Sequence, residues 1–485
     1  MSPPAGRREV LPIQRVEVAP LSLDRFSEVI TEEQQLYLEH MRDKAERLLH
    51  DRTILNMNST AHGGGVAELL RSLIAYGRAA GADVRWVVMG AEADFFRVTK
   101  RIHNNLHGYP GDGGPLGDLE REIYEAAAAG TAKQIAEIVG PGDIVLLHDP
   151  QTAGLVPMLK GTGAHVIWRA HIGLDLPNDV ARRAWSFLLP YVEPAEAYVF
   201  SRREFVWDGL DSERVEIVRP SIDPFSAKNQ ELPPDDVTAI LRAAHLLAAD
   251  GVGSPEFTRV DGTRGRVERE AQTYEEAVLP AGVPAVTQVS RWDRLKDPLG
   301  VMEAFLSHVV PRSDAHLVLA GPETAAVTDD PEGAHMLKLC VDRWESLAPE
   351  ARSRIHLVLI PMQDAEENAA IVNALQRWSS VVVQKSLAEG FGLTVSEAMW
   401  KARPVVASRV GGIQDQIVDG DSGVLVEPRD LPAFGGAVLQ LLHDPERARR
   451  MGTAAQERVR HEFLGDRHLE EYVDVFERVI ARRPG

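Results

Sequence analysis

The chain has a single cysteine, Cys340, in 485 residues, so no disulfide can form within it and a reducing compartment is expected. Long apolar runs are missing as well. The opening residues, MSPPAGRREVLPIQ, lack the apolar core of a secretory signal, and no stretch approaches the length that spans a bilayer. A soluble cytoplasmic protein with no membrane partner is the expectation. Basic residues are in deficit: 53 Lys plus Arg stand against 72 Asp plus Glu, a formal charge of −19. Such a surface repels nucleic acid and anionic lipid at long range, so an anionic substrate must be held by a local basic pocket. Low-complexity tracts and sequence repeats are absent too.

What is present is ordinary globular composition, 44% hydrophobic and 26% charged, in a chain too long for one core. Two α/β domains of similar size are expected, because short β-branched runs alternate with amphipathic stretches. In the first half, residues 53–58, 84–90, 143–148, 165–170, 195–201 and 215–220 read as strands, and 67–80 as a helix stopped by Gly81. In the second half, residues 285–290, 316–321, 355–360, 380–384 and 404–408 repeat the strand pattern. The stretch 378–384 as a whole reads as one buried parallel strand. Between the halves, 223–282 is rich in Pro, Asp, Glu and Arg, with a helical piece near 237–247. It reads as a connector packed on the first domain. From Asp430 onward the pattern is helical.

The most informative segment is 385–402, KSLAEGFGLTVSEAMWKA, where Glu389 and Glu397 stand eight apart around a Gly-Phe-Gly turn. Strand, glycine turn and helix aim backbone N–H groups and a positive helix end at a phosphate. A carboxylate at each end of the turn adds groups that bind hydroxyls, so the segment suits a ligand that is both sugar and phosphate. Arg291 and Lys296, five apart just past the strand ending at Ser290, can reach one diphosphate and stabilise charge on a departing nucleotide. Alone, such a pair would read as two solvated cations on a loop.

A second glycine-rich turn, Ser59-Thr-Ala-His-Gly63-Gly64-Gly65, joins the first strand to its helix and lets backbone approach a ligand closely. It is not a phosphate loop, since no Gly-Lys-Ser/Thr follows, nor G-x-G-x-x-G with a ribose-binding acid at the right distance. His171 and the pair His148-Asp149 end strands whose carboxyl ends face the ligand crevice in parallel sheets. A lone histidine there is more often a satisfied structural residue. His103 and His107, four apart on an expected helix, could share a metal in principle. No glutamate follows the first and no third ligand is evident, so no metal site is expected.

The 385–402 segment also matches the Glu-x7-Glu signature of retaining family 4 glycosyltransferases, and 403–429 resembles the rest of their donor domain. The usual Gly-Gly-x-x-Glu stands here as Gly411-Gly412-Ile413-Gln414-Asp415, a shorter acid at the last position. Residues 55–73, 85–108, 145–155, 168–179 and 289–305 closely resemble the trehalose-forming branch, which contains glycosyltransferring synthases and retaining phosphorylases. The resemblance covers nearly the whole chain and is weakest over 227–282.

The resemblance implies the GT-B architecture: two Rossmann-like doubly wound α/β domains facing across a deep cleft, with a C-terminal helix crossing back. It assigns 1–282 to an acceptor-binding domain including the connector, 283–460 to a nucleotide-sugar domain, and 461–485 to the crossing helix. Arg291, Lys296, Glu389 and His171 become the catalytic set. Gly64, Gly65, Ser290, Phe391, Gly392, Leu393, Thr394 and Glu397 bind the donor, with Glu389 on sugar hydroxyls and Glu397 on the ribose. His148, Asp149 and Asn105 are candidates for the acceptor. The implied reaction joins nucleotide-activated glucose, ADP-glucose first by resemblance, to free glucose, giving trehalose. Trehalose phosphorolysis is the nearest alternative; a non-catalytic nucleotide-sugar sensor and an epimerase are the others. No cofactor is required, magnesium acts at most as a stimulant, the partners are small-molecule substrates and not nucleic acid, and a homodimer is the default assembly.

Overall fold

In the computed structural model, the β-branched runs of the first half assemble into one seven-stranded sheet. Its strands are β1 (Gln14–Arg15), β2 (Thr53–Asn58), β3 (Asp83–Val88), β4 (Ile144–His148), β5 (His165–Ala170), β6 (Ala197–Phe200) and β7 (Val215–Ile217). They lie in the order β1-β3-β2-β4-β5-β6-β7, parallel except for the antiparallel edge strand β1. The winding reverses at β2, which has β3 on one side and β4 on the other. This is the switch point of a doubly wound sheet, where ligands meet the carboxyl ends of strands.

Alternation along these strands builds a core on each face. Leu55, Met57, Val145, Leu147, Val166 and Trp168 share one core with Phe95, Ile102, Tyr124 and Leu188 from the covering helices. Ile54, Trp86, Ile144, Leu146 and Ile167 share the other with Leu70, Ile74, Val473 and Phe476. A parallel sheet must be covered on both faces in this way. The last helix, Gly465–Arg482, supplies part of the second core and belongs to this unit, which otherwise ends at Ser221.

The second unit, Ile222–Leu464, repeats the plan. After a small antiparallel pair, β8 (Glu256–Thr258) and β9 (Arg264–Arg266), come β10 (Gln272–Tyr274), β11 (Ala285–Val289), β12 (His316–Pro322), β13 (Ile355–Ile360), β14 (Val381–Gln384), β15 (Val405–Ser408) and β16 (Val424–Val426). The order β10-β13-β12-β11-β14-β15-β16 is parallel except for β10 on β13. Here the switch lies at β11, with β14 beside it, so the loops after Val289 and Gln384 leave neighbouring strand ends.

The structure describes residues 11–61, 64–248, 250–323 and 331–482. Two expectations need correction. The connector, expected on the first domain, has its apolar residues buried in the second: Leu232, Val237, Ile240, Leu241, Leu246 and Leu247 lie with Val318, Val358, Ile360, Ala370 and Ile371. Its helix, Pro234–Ala243, carries an apolar stripe, and that stripe covers the face of the second sheet flanked by the helix Ala365–Trp378. The run 378–384 is not all strand either. Trp378 ends the helix Ala365–Trp378, the Ser379 hydroxyl bonds back to Leu375 O at 2.6 Å, and β14 starts only at Val381. Cys340 is fully buried, and among the described residues no helix is long and apolar enough to cross a membrane.

Candidate active site

On the second unit, the glycine turn after β14 opens the helix Leu393–Trp400, with Gly392 as its N-cap at φ 85°. The conformation disfavours any side chain, and space does too: a Cβ there would lie 3.1 Å from Glu389 Cγ and Ile413 Cγ1. Gly411, at φ 49°, is more constrained, since its Cβ would fall 1.8 Å from the Glu389 carbonyl oxygen. The Gly411-Gly412 pair is therefore what lets the next loop lie directly on the turn, sealed by Gly412 N–H donating to Gly390 O at 2.9 Å. Gln416 Nε2 donates to Phe391 O at 2.5 Å and locks the same contact from behind. Phe391 is buried, Leu393 and Thr394 are half-buried, and the Thr394 hydroxyl donates to Gln384 Oε1 at 3.1 Å.

Glu389 stands at the entrance of this turn, and Lys296 reaches it from the loop after β11. The ammonium and carboxylate form an ion pair, both side chains mostly buried, and Ser386 Oγ donates to the same carboxylate oxygen at 3.0 Å. The Lys296 loop is itself clamped to the neighbouring strand end. Gln288 Nε2 donates to Lys296 O at 3.0 Å, Gln288 Oε1 accepts from Lys385 N at 3.0 Å, and Leu387 N donates to Leu295 O at 2.7 Å. Lys385, fully buried, pairs with Asp297, which sits in the left-handed region at φ 49° and caps the helix Pro298–Ala304. Ser290 lies within 3.5 Å of Gln288 Nε2. Arg291 differs from Lys296: its side chain is 54% exposed and lies 3.1 Å from Asp293 Oδ2.

Glu397 lies within the helix with a side chain 2% exposed, and Lys228 Nζ approaches its Oε1 to 3.4 Å. Lys228 comes from the connector. The adjacent Asn229 is held by Lys401 Nζ at 3.0 Å and Trp400 Nε1 at 3.2 Å, and Asn373 Nδ2 donates to Ala227 O at 3.1 Å. The connector is thus bolted to the two helices that flank β14 and supplies the cation beside Glu397. Sequence reasoning missed Lys228, Lys385, Gln288 and Ser386. The only signal was their type, a lysine long enough to reach inward or a strand-end amide, which nothing in local spacing singles out.

On the first unit, the even-numbered positions of β2 and β4 and the odd positions around β5 change from apolar to polar at the carboxyl ends, on the face of the last helix. Asn56, His148, Arg169 and His171 result. His148 Nε2 lies 3.1 Å from Asn56 Oδ1, and its Nδ1 lies 2.9 Å from His171 Nε2. Burial and then the Arg169 guanidinium lower the His148 pKa to about 3; the same causes, with His148 and His468 added, hold His171 well below the usual range. Both rings are neutral near pH 7. Asp149, in the left-handed region at φ 64°, accepts the His171 backbone N–H at 2.8 Å, and burial raises its carboxyl to about 6. Gly64 and Gly65 lie at the start of the helix Gly65–Ala79, with Gly64 as its N-cap at φ 79°; His62 and Gly63 of that turn lie outside the described residues.

Two acceptor candidates are placed otherwise than expected. His148 is 2% exposed with both ring nitrogens engaged, so it supports His171 and offers no atom to an acceptor. Asn105 is also buried, its amide beside Tyr109 O at 2.9 Å and Pro110 O at 3.3 Å, where it closes the turn after the helix Ala93–Leu106. His103 and His107 stack edge to face at 4.9 Å, and no cluster of three or more metal-ligating side chains occurs among the described residues.

Two doubly wound sheets, the second carrying a lysine–carboxylate pair beside a glycine turn that opens a helix, define a glycosyltransferase of the GT-B class. Comparison with known proteins narrows this. A family model described as "Trehalose synthase, N-terminal domain" matches residues 56–207, and one described as "Glycosyl transferases group 1" matches 272–458. The trehalose synthase of Rubrobacter xylanophilus is 37% identical over 472 residues, 97% of this chain and 100% of that protein. The trehalose phosphorylase of Pleurotus sajor-caju is 26% identical over 436 residues, 84% of this chain and 55% of that one. A solved structure described as trehalose-6-phosphate from E. coli bound with UDP-2-fluoro glucose shares the fold, with a TM-score of 0.65 at 13% identity over 88% of this chain and 99% of that one. The chain belongs to the trehalose synthase family and is a hexosyltransferase.

Proposed function

We propose that the chain transfers glucose, with retention, from a nucleotide-activated donor to the anomeric hydroxyl of free D-glucose, releasing α,α-trehalose and the nucleoside diphosphate. ADP-glucose is the favoured donor. The observation that carries this reading is the Lys296–Glu389 ion pair beside the glycine turn that opens Leu393–Trp400. A cation, a hydroxyl-binding carboxylate and a helix N-terminus within one turn suit a sugar joined to a diphosphate.

In this scheme the bond between the donor's anomeric carbon and its phosphate oxygen breaks, and the acceptor's anomeric oxygen bonds to that carbon from the same face. The acceptor's proton passes to the leaving phosphate oxygen. Lys296 and Arg291 stabilise the charge that collects on the diphosphate, and the rest of the acceleration comes from positioning. Glu389 holds hydroxyls of the transferred sugar, and Glu397 takes the ribose diol with Lys228 keeping its carboxylate compensated. On the first unit, His171 is the candidate for a sugar hydroxyl and Asp149 remains the acceptor candidate. The reaction needs no cofactor, and magnesium stimulates only through the free nucleotide. A buried single cysteine suits a reducing cytoplasm, and a homodimer is the expected assembly.

Phosphorolysis of trehalose is the second reading, supported by the similarity to a trehalose phosphorylase. The test is to incubate the protein with glucose plus ADP-, UDP- or GDP-glucose, and separately with glucose plus α-glucose 1-phosphate, and to quantify trehalose. Trehalose from a nucleotide sugar establishes the synthase and names its donor. Trehalose only from glucose 1-phosphate makes the protein a phosphorylase.

A further inference from the structure

Two histidines and an asparagine from three separate strand ends form one chain of hydrogen bonds: Asn56 Oδ1 to His148 Nε2, then His148 Nδ1 to His171 Nε2. The rings lie 20° from parallel with centroids 5.2 Å apart, while the nitrogens are 2.9 Å apart. Those values put both nitrogens on the line joining the rings, as an in-plane hydrogen bond requires. Asn56 and His148 are both buried, at 6% and 2% exposed, whereas His171 is half-buried.

We propose that Asn56 and His148 are positioning residues that fix His171 as its Nε2–H tautomer, so that its Nδ1 lone pair is offered to a hydroxyl group of the bound sugar. Counting hydrogens leaves one arrangement. The Asn56 carbonyl oxygen only accepts, so His148 Nε2 carries the hydrogen. A neutral imidazole has one N–H, so His148 Nδ1 accepts and His171 Nε2 must donate to it. The remaining nitrogen of His171, Nδ1, makes no hydrogen bond with any described residue.

The groups facing this pair favour neutral rings. Arg169 on β5 and His468 on the last helix are cationic or potentially so, and burial opposes charge on both histidines. Asp149 commits its Oδ1 to the His171 backbone N–H and so fixes the residue's main chain while His148 fixes its ring. A hydroxyl can donate to the acceptor so presented. The ligand's identity rests on the sugar-transfer reading above; the tautomer does not.

The experiment is ¹⁵N-histidine NMR on the full chain without ligand, with the His171 signals assigned by their loss in His171→Ala. His171 is expected to show a pyrrole-type Nε2 and a pyridine-type Nδ1 across neutral pH. His148→Phe removes the acceptor and should mix the two tautomers and lower kcat/KM for the nucleotide sugar about tenfold. His148→Asn keeps an amide oxygen for His171 Nε2–H and should restore both the spectrum and most of the rate. A reversed nitrogen pattern in the wild type, or a wild-type pattern surviving in His148→Phe, overturns the proposal. The wild-type spectrum decides even if a variant fails to fold. Expected spectra together with no glucosyl transfer would leave the relay standing and remove the functional reading alone.

Discussion

Lys296→Ala separates two jobs that one side chain performs. Lys296 and Glu389 are 17% and 9% exposed, and their ion pair is one of several contacts between the β11 loop and the segment of the glycine turn. Removing a cation aimed at a leaving diphosphate should cost on the order of a hundredfold in turnover, which is about 2.7 kcal/mol of transition-state stabilisation. It also strips Glu389 of its counter-charge while leaving the Ser386 hydrogen bond at 3.0 Å. Glu389 keeps the Ser386 bond and some exposure, so the folded state should lose about 1–3 kcal/mol, the cost of leaving a buried polar group short of a partner. In a unit of this size that lowers Tm by about 2–4 °C per kcal/mol. The double variant Lys296→Ala/Glu389→Gln removes the stranded charge, so it should recover most of the Tm and none of the rate. Initial rates of nucleotide release, with thermal unfolding followed by circular dichroism, read both effects. Turnover of the single variant within about threefold of wild type would refute the catalytic role of Lys296.

Glu397→Gln should raise the donor KM and leave kcat nearly unchanged, and Lys228→Met should do the same by roughly tenfold if the connector lysine holds that carboxylate in register; unchanged donor KM in both would move Glu397 out of the site. Gly411→Ala places a Cβ 1.8 Å from the Glu389 carbonyl oxygen at φ 49°, so donor binding and Tm should fall together, and a wild-type melting curve would contradict the packing described. Burial, then His356 and Arg354, lower the His316 pKa to about 4 from 6.5. A base with a depressed folded-state pKa contributes stability in full above its unfolded value and loses it as pH falls toward the folded one. Stability to urea should therefore fall more steeply between pH 7 and 4 in the wild type than in His316→Asn; identical pH dependence would argue against it.

Features carried by contiguous residues are legible in the sequence alone. Glu389, the Gly-Phe-Gly turn and Glu397 lie on one strand–turn–helix unit, whose geometry follows from glycine conformations and helix periodicity within a single short segment. The long parallel strands announce themselves through β-branched runs, because burial on both faces demands them. Short edge strands such as β1 and β10 do not, since so few residues carry no periodicity. Trp378 reads as strand because its helix runs into β14 with only Ser379 and Ser380 between.

By itself, then, the sequence determined the class of architecture, the main parallel strands of the two sheets and the residue types at the phosphate-facing turn, all of which depend on local chemistry. Tertiary structure decided which distant groups complete them. Only the adjacency of β11 and β14 joins Lys296 to Glu389, and only the apolar stripe of Pro234–Ala243 shows that the connector covers the second sheet and delivers Lys228 to Glu397. The same holds for His148, whose strand-end position suggested ligand contact. Its two ring nitrogens are committed to Asn56 and His171 because the face it shares with them is buried beneath the last helix, and burial is a property of the whole fold.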